Sequence, residues 1–204
     1  MQLIKDIIAS IKEDAPVKEV RIGAFWTGVW SRYCGMASTI FKHEHEERYP
    51  IEKAGTLTAK SALELSQYAL SDSFLESSVG MATINSLIEV DISKCQDINA
   101  GKVLEQRGAG KKVAIVGHFP FVSRLKKIAG ELWILEKRPQ VGDLPACEAN
   151  KVIPQADVIA ITSTALINGT MESLLKLCRK DSLVMVLGPT TPLSPIWFDY
   201  GVDL

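Results

Sequence analysis

Two hydrophobic patterns share this chain, and they change over near residue 92. Leu3, Ile4, Ile7, Ile8 and Ile11 recur at helical spacing and predict an amphipathic helix over residues 3 to 14, closed before Pro16. From Val17 to Phe41 β-branched and aromatic residues dominate, broken at Gly28 and at Cys34-Gly35, which predicts an antiparallel meander of two or three strands. Thr58 to Leu70 and Ser73 to Val90 return to helical periodicity, with Ser73 and Glu76 spaced as a capping box. After Asp91 the chain switches to short, unalternating apolar runs at residues 112–116, 132–135, 158–161 and 183–187, separated by helical segments. Such runs predict parallel strands buried on both faces. The expected fold class is therefore α/β in two domains, a small α+β domain over 1–92 and a parallel-sheet domain over 96–204.

Composition narrows the function classes. The 204 residues carry a formal net charge of -1, with acidic and basic residues mixed along the chain. Neither a nucleic acid nor an anionic membrane is an expected partner. Lys5, Asp6, Lys12, Glu13 and Asp14 interrupt the first segment, which therefore lacks the apolar core of a signal peptide. No stretch reaches the roughly eighteen apolar residues of a membrane span. Cys34, Cys95, Cys147 and Cys178 are far apart and form no CxxC pair, which argues against a zinc knuckle or a disulfide framework. A cytoplasmic location is expected.

Right-handed crossovers stack the C-terminal ends of parallel strands on one edge, where open α/β sheets bind ligands. The first run of the second domain enters Gly117-His118-Phe119-Pro120-Phe121, where a dinucleotide fold carries its glycine fingerprint. Bulky Phe119 and Pro120 stand where close backbone approach to a pyrophosphate would need glycine, so ordinary NAD binding is not expected. The next helix start could still hold a carboxylate or one phosphate. His118 reads as a ligand-site imidazole or as a capping and packing residue. Glu136, at the second strand end, could hold a ribose hydroxyl pair or pair with Lys137 or Arg138.

The third strand opens into Thr162-Ser163-Thr164, followed by Asn168-Gly169-Thr170. Thr162, Asn168 and Thr170 could floor a polar ligand, or Asn168 or Thr170 could simply cap a helix. The fourth opens into Gly188-Pro189-Thr190-Thr191-Pro192-Leu193-Ser194-Pro195, either a rigid turn or a stiff scaffold holding the Thr190 and Thr191 hydroxyls toward a ligand. His43 and His45 alternate with Glu44 and Glu46, as metal ligands sometimes do, but so charged a run reads better as a solvated turn. Cys34 reads as a thiolate ligand or a small buried hydrophobe.

Several segments together resemble the heavy-metal-chelation family, an uncharacterised group: residues 78–86 (SVGMATINS), 116–121 (VGHFPF), 142–145 (GDLP), 156–158 (ADV) and 187–193 (LGPTTPL). The resemblance implies a first domain similar to the N-terminal domain of enolases, a Rossmann-like second domain, and a site in the cleft between them. Relatives continue well past the position of Gly201-Val202-Asp203, so a last strand and helix are expected to be absent. No substrate, cofactor or reaction is carried over.

The reading that follows is a protein binding a small anionic metal-chelating or metal-related molecule, with or without transforming it. His118 would face the metal or move a proton. Gly117, Phe119, Glu136, Asn168, Gly188, Thr190 and Thr191 would line or orient the ligand. The first domain would supply the opposite wall through Asn85, Gly80 and the glycine-bearing turns near Gly28 and Gly35. A nucleotide- or nucleoside-cofactor-dependent enzyme and a non-catalytic binding protein are the alternatives. The oligomeric state is left open.

Overall fold

The computed structural model describes residues 1–41 and 51–204, so His43 and His45 lie outside the described residues. Residue contacts gather into two compact units. The first comprises Met1–Asp91 with Ser163–Thr170 and Gly188–Ile196; the second comprises Ile92–Thr162 with Met171–Leu187 and Trp197–Leu204.

In the first unit helix α1 (Gln2–Ser10) buries Leu3, Ile4, Ile7 and Ile8, the face its periodicity predicts. It stops at Ser10 rather than Asp14. The Ser10 hydroxyl donates to the Ile7 carbonyl at 2.7 Å, and the Asp14 carboxylate accepts the N–H groups of Ala15 and Leu63 at 2.8 and 2.9 Å, which ties the chain down in an extended stretch. Strands β1 (Glu19–Ile22), β2 (Trp26–Trp30) and β3 (Cys34–Ser38) form the antiparallel meander in that order. Gly28 and Gly35 do not mark its turns: Gly28 pairs with Met36, and Gly35 with Val29, inside the strands.

Helix α2 (Ala62–Ser66), flanked by 3-10 turns at Leu57–Ala59 and Gln67–Leu70, stands where one helix over 58–70 is expected. Ser61 divides it, because its side chain and Glu64 form a complete capping box that starts a new helix. At α3 (Phe74–Leu87) only half of the expected box forms. Ser73 accepts the Glu76 N–H at 3.4 Å, but the Glu76 carboxylate binds the Glu52 N–H at 2.7 Å and the Ser71 hydroxyl at 2.5 Å. Helix α3 is apolar or small around its circumference, and Ser77 through Ile84 are all buried. Such a helix belongs inside a core. It packs on β2, β3, α2 and the Gln67–Leu70 turn. Its buried hydroxyls are satisfied: Ser77 by the Ala69 carbonyl, Thr83 by that of Val79, and Ser86 by that of Thr83.

The second unit opens with α4 (Ala100–Gly108), capped by the Asn99 side chain on the Lys102 N–H. It continues with β4 (Lys112–Val116), α5 (Val122–Leu125), β5 (Glu131–Glu136), β6 (Leu144–Pro145), α6 (Ala149–Val152) and β7 (Val158–Thr162). After β7, α7 (Thr164–Ile167) belongs to the first unit; then come α8 (Met171–Leu175), β8 (Leu183–Leu187) and a last turn, α9 (Ile196–Asp199). The sheet is five-stranded and parallel, in the order β6-β5-β4-β7-β8, so the building direction reverses between β4 and β7.

Val113 and Ile115 of β4, Ile134 of β5, Val158 and Ala160 of β7, and Met185 and Leu187 of β8 face Leu104, Val122 and Leu125 in one cluster. Ala114, Ile159, Ile161 and Val184, on the other face, are also buried. Burial on both faces is why these strands read as unbroken apolar runs. Beyond Trp197 the tail returns along β8, with Asp203 N–H on the Val184 carbonyl and Val186 N–H on that of Leu204, both at 2.9 Å. Among the described residues no helix is long and apolar enough to cross a membrane.

Asp157, just before β7, ties the lower end of the sheet together. Its carboxylate accepts the Lys112 N–H at 3.0 Å and meets Arg179 Nη2 at 3.2 Å. The Lys112 hydrogen bond, opposed by burial and helped by Arg179, holds its pKa below the usual carboxylate value of 3.8. A carboxyl whose folded-state value is depressed contributes stability above its unfolded value and loses it as pH falls through the folded one. Stability should therefore decline below about pH 4. In Asp157→Asn that acid-side slope should flatten, because the titrating partner is gone; denaturant melts across pH 2 to 7, on the order of the span these carboxyls cover, would read it. An unchanged slope would place the acid sensitivity elsewhere.

Candidate functional site

Strand β4 ends in a turn that only glycine can make. Gly117 has φ +102, and a Cβ there would stand 3.0 Å from Thr162. Its N–H donates to the Leu135 carbonyl at 3.0 Å, which holds the turn against the end of β5. His118 comes next and is exposed. Phe119 and Phe121 stack with centroids 5.2 Å apart and pack on the core cluster, so the two rings that bracket Pro120 anchor the turn from below.

The imidazole is not alone. His118 Nδ1 stands 3.5 Å from Asp143 Oδ2, and while 41% of the histidine side chain is exposed, only 3% of the aspartate is. Asp143 is itself fixed, because Oδ2 accepts the Gln140 N–H at 3.0 Å and its own N–H donates to the Gln140 carbonyl at 3.0 Å. A buried, tethered carboxylate behind an exposed imidazole is the arrangement that orients a histidine acting as a metal ligand or a proton acceptor. Asp143 lies in the 142–145 segment that carries the family resemblance, but its place behind His118 and the two-residue β6 that follows it are not read from the sequence. The acid lies past a whole βα unit from His118, and a strand so short leaves no pattern.

The other strand-end residues divide by unit. In the second unit Glu136 is half-buried, and its carboxylate accepts the Lys137 backbone N–H at 3.1 Å. Thr162 is half-buried against Gly117. In the first unit Asn168 ends α7, and its side chain accepts both the N–H and the hydroxyl of Thr170, at 3.2 and 2.6 Å, closing a turn about Gly169 rather than pointing outward. Ser163 is buried, and among the described residues its Oγ has no hydrogen-bond partner. It abuts Gly188, where φ is +123 and a Cβ would lie 2.5 Å from that oxygen.

The Pro-rich loop holds an edge strand. Among the described residues strand β3 pairs only with β2, so its other side leaves backbone groups to be satisfied elsewhere. Thr190 Oγ1 accepts the Ser38 N–H at 2.9 Å, and Asn85 Nδ2 donates to the Met36 carbonyl at 2.8 Å and to the carbonyls of Thr190 and Pro189 at 3.3 and 3.4 Å. Thr190 is fully buried, and the Thr191 hydroxyl closes on the Gly188 carbonyl at 2.8 Å. Thr190→Val should therefore cost about 1–2 kcal/mol, since it leaves the Ser38 N–H without its acceptor. Thr191→Val should stay within about 0.5 kcal/mol. Urea unfolding of the two variants distinguishes this strap from a purely ligand-facing pair, which would leave both as stable as the parent.

Among the described residues no three His, Cys, Asp or Glu side chains converge as metal ligands. Cys34, Cys95 and Cys147 are exposed, and burial pushes the Cys178 thiol up to about 11.

Two family models match the chain, both described as "Putative heavy-metal chelation": DUF364 over residues 99–204 and DUF4213 over residues 4–88. An uncharacterized protein of Methanocaldococcus jannaschii is 28% identical over 137 residues, which is 63% of this chain and 53% of that protein. The chain thus spans about half the length of that curated relative. A solved structure of a protein of unknown function from the DUF364 family of Desulfitobacterium hafniense is similar at a TM-score of 0.86 and 27% identity, covering 98% of this chain and 83% of that one. Another, from Pyrococcus horikoshii, is similar at 0.79 and 22%, covering 95% and 80%, and shows the shared fold.

Proposed function

Because the chain belongs to the uncharacterised DUF364 family, whose description reads "Putative heavy-metal chelation", we propose that it binds a small anionic metal chelate at the C-terminal edge of its parallel sheet. The observation that carries this reading is the His118–Asp143 pair, an exposed imidazole backed by a buried carboxylate at a strand end. With Nδ1 facing the carboxylate, Nε2 is left to donate to a metal whose remaining donors belong to the chelator. Gly117 lets the backbone turn tightly enough to bring the imidazole out, and Glu136 and Thr162 lie at neighbouring strand ends to orient polar groups of the ligand. Where the ligand is transformed, the same nitrogen is the group placed to take a proton.

A second reading rests on the strand order. A sheet that reverses between β4 and β7, with Glu136 at the end of the strand beside β4, is also the frame in which a nucleoside cofactor is held by an acidic side chain.

The test is mass spectrometry and elemental analysis of what the purified protein retains, for the parent and His118→Ala. A retained metal or chelator, lost by about tenfold or more in the variant, is the expected result. The melting temperature should move by no more than a few degrees, since the imidazole is exposed. Retention that ignores His118 overturns the reading, and a retained nucleoside moves the case to the second.

A further inference from the structure

The loop from the end of β5 to β6 flanks His118 and is pinned at both ends. At its start the Gly117 N–H donates to the Leu135 carbonyl at 3.0 Å, which sets Glu136 beside Gly117 at the edge of the sheet. At its finish Asp143 stands behind His118. That end is a closed turn, with the Asp143 N–H on the Gln140 carbonyl, the Gln140 N–H on the Asp143 carboxylate, and Gly142 at φ +96. Arg138 lies between these anchors, two residues past Glu136 and directly before Pro139. Two residues of chain span at most about 7 Å, so the Arg138 backbone stays close to the ends of β4 and β5. The proline narrows it further, since the residue before a proline is pushed into extended conformations.

Arg138 is exposed, and its charge is not taken up within the protein. Among the described residues Arg21, Arg32, Arg124 and Arg179 each pair with a carboxylate. Arg107 stands in the last turn of α4, where a cation offsets the helix dipole. Among the same residues Arg138 has neither. The two acids nearest it along the chain are engaged elsewhere: the Glu136 carboxylate accepts the Lys137 N–H at 3.1 Å, and the Asp143 carboxylate, 3% exposed, faces Gln140 and His118. A guanidinium left unpaired beside a candidate metal-facing imidazole is placed to meet an anion that arrives with the metal.

We infer that Arg138 reads the charge of the ligand, its guanidinium donating to the carboxylate arms of a chelate whose metal sits at His118 Nε2. This rests on the metal-chelate reading of the site and narrows it to chelators built from carboxylates. A carboxylate bound to a metal through one oxygen keeps the other as an acceptor, and a guanidinium offers several N–H donors to such oxygens in one fixed plane. A chelate whose arms are amines offers no acceptor and repels the guanidinium. One residue therefore both admits the first class and rejects the second.

The test pairs two nickel complexes of similar shape and opposite charge, on the full chain with His43 and His45 replaced by alanine. Nitrilotriacetate and tris(2-aminoethyl)amine are both tripods that leave adjacent metal positions open for an imidazole, but the first complex is an anion and the second a cation. Calorimetric titration at low ionic strength, where exposed charges are least screened, gives each affinity relative to that for free imidazole. The parent should prefer the nitrilotriacetate complex by about tenfold or more. Arg138→Gln should lose that preference by weakening the first complex alone, and its melting temperature should match the parent's, because the side chain is exposed. Arg138→Lys should keep part of the preference, since the charge stays while the fork goes. A parent that binds both complexes alike, or a preference that survives in Arg138→Gln, overturns the inference and leaves the His118 site standing. A parent that binds neither complex, or binds both equally well after His118→Ala, overturns the metal-chelate reading and this inference with it.

Discussion

Gly80→Ala should lower the stability of the protein by about 3 kcal/mol, one of the largest effects available from adding a single methyl group. A Cβ at this position would lie 2.5 Å from the Tyr68 carbonyl carbon, 2.6 Å from Ala69 Cα and closer still to the Ala69 nitrogen. All three are backbone atoms, which cannot swing aside as a side chain can. Against this stands the helical preference for alanine, about 1 kcal/mol at most. The clash wins, because relieving it means moving α3 off the Gln67–Leu70 turn. Gly35→Ala should behave alike from the opposite side of the helix, where the new methyl would press on the backbone of Ala82, Asn85 and Ser86. For a chain of this size the melting temperature should drop by roughly 10 °C in each variant. Gly28→Ala, whose Cβ would meet nothing closer than the Gly35 carbonyl oxygen at 4.0 Å, is the control and should stay within about 0.5 kcal/mol. Equal stability of the three variants would show that α3 is not clamped in this way.

These glycines also mark where sequence reasoning stopped. In the first half glycine was read as punctuation or as room for a ligand, yet Gly35 sits inside β3 and Gly80 inside α3, each chosen for contact with another backbone. Nothing local distinguishes a glycine that turns the chain from one that lets two elements touch. The second half was more legible. Residues 112–116 and 183–187 form strands with the predicted ends, because burial on both faces leaves a continuous apolar run that local signals cannot disguise.

The candidate site was legible in the same uneven way. His118 could be found because it follows a strand end directly. The edge-strand role of Asn85 and Thr190 could not, since it depends on β3 having one neighbour, a fact of topology. The pairing behind His118 is hidden for a related reason: Asp143, though part of the 142–145 motif, reaches it only because β5 and β6 return the chain to the same sheet edge.

Asp143 is therefore the position where substitution should be most informative. On the proposed reading, His118 Nδ1, 3.5 Å from Asp143 Oδ2, holds its proton toward the carboxylate and Nε2 keeps a lone pair for the metal. In Asp143→Asn an amide oxygen in the Oδ2 place still accepts the Gln140 N–H and still faces Nδ1, because both contacts fall on that one oxygen. The tautomer is kept, but a neutral amide oxygen attracts the imidazole N–H less than a carboxylate does. Asp143→Ala removes the acceptor, so its affinity for a metal chelate should fall about 10–100-fold, the usual cost of losing the group behind a ligating histidine. Asp143→Asn should bind better than Asp143→Ala and be the more stable of the two, since alanine leaves the Gln140 N–H without a partner. Calorimetric titration with a nickel nitrilotriacetate complex can measure this ranking in a background where His43 and His45 are alanine, so that His118 is the remaining imidazole. The tautomer is read independently from nitrogen-15 NMR of the ring. An alanine variant that binds as well as the parent, or whose ring keeps the parent's tautomer, would remove Asp143 from the site and leave His118 without an orienting partner.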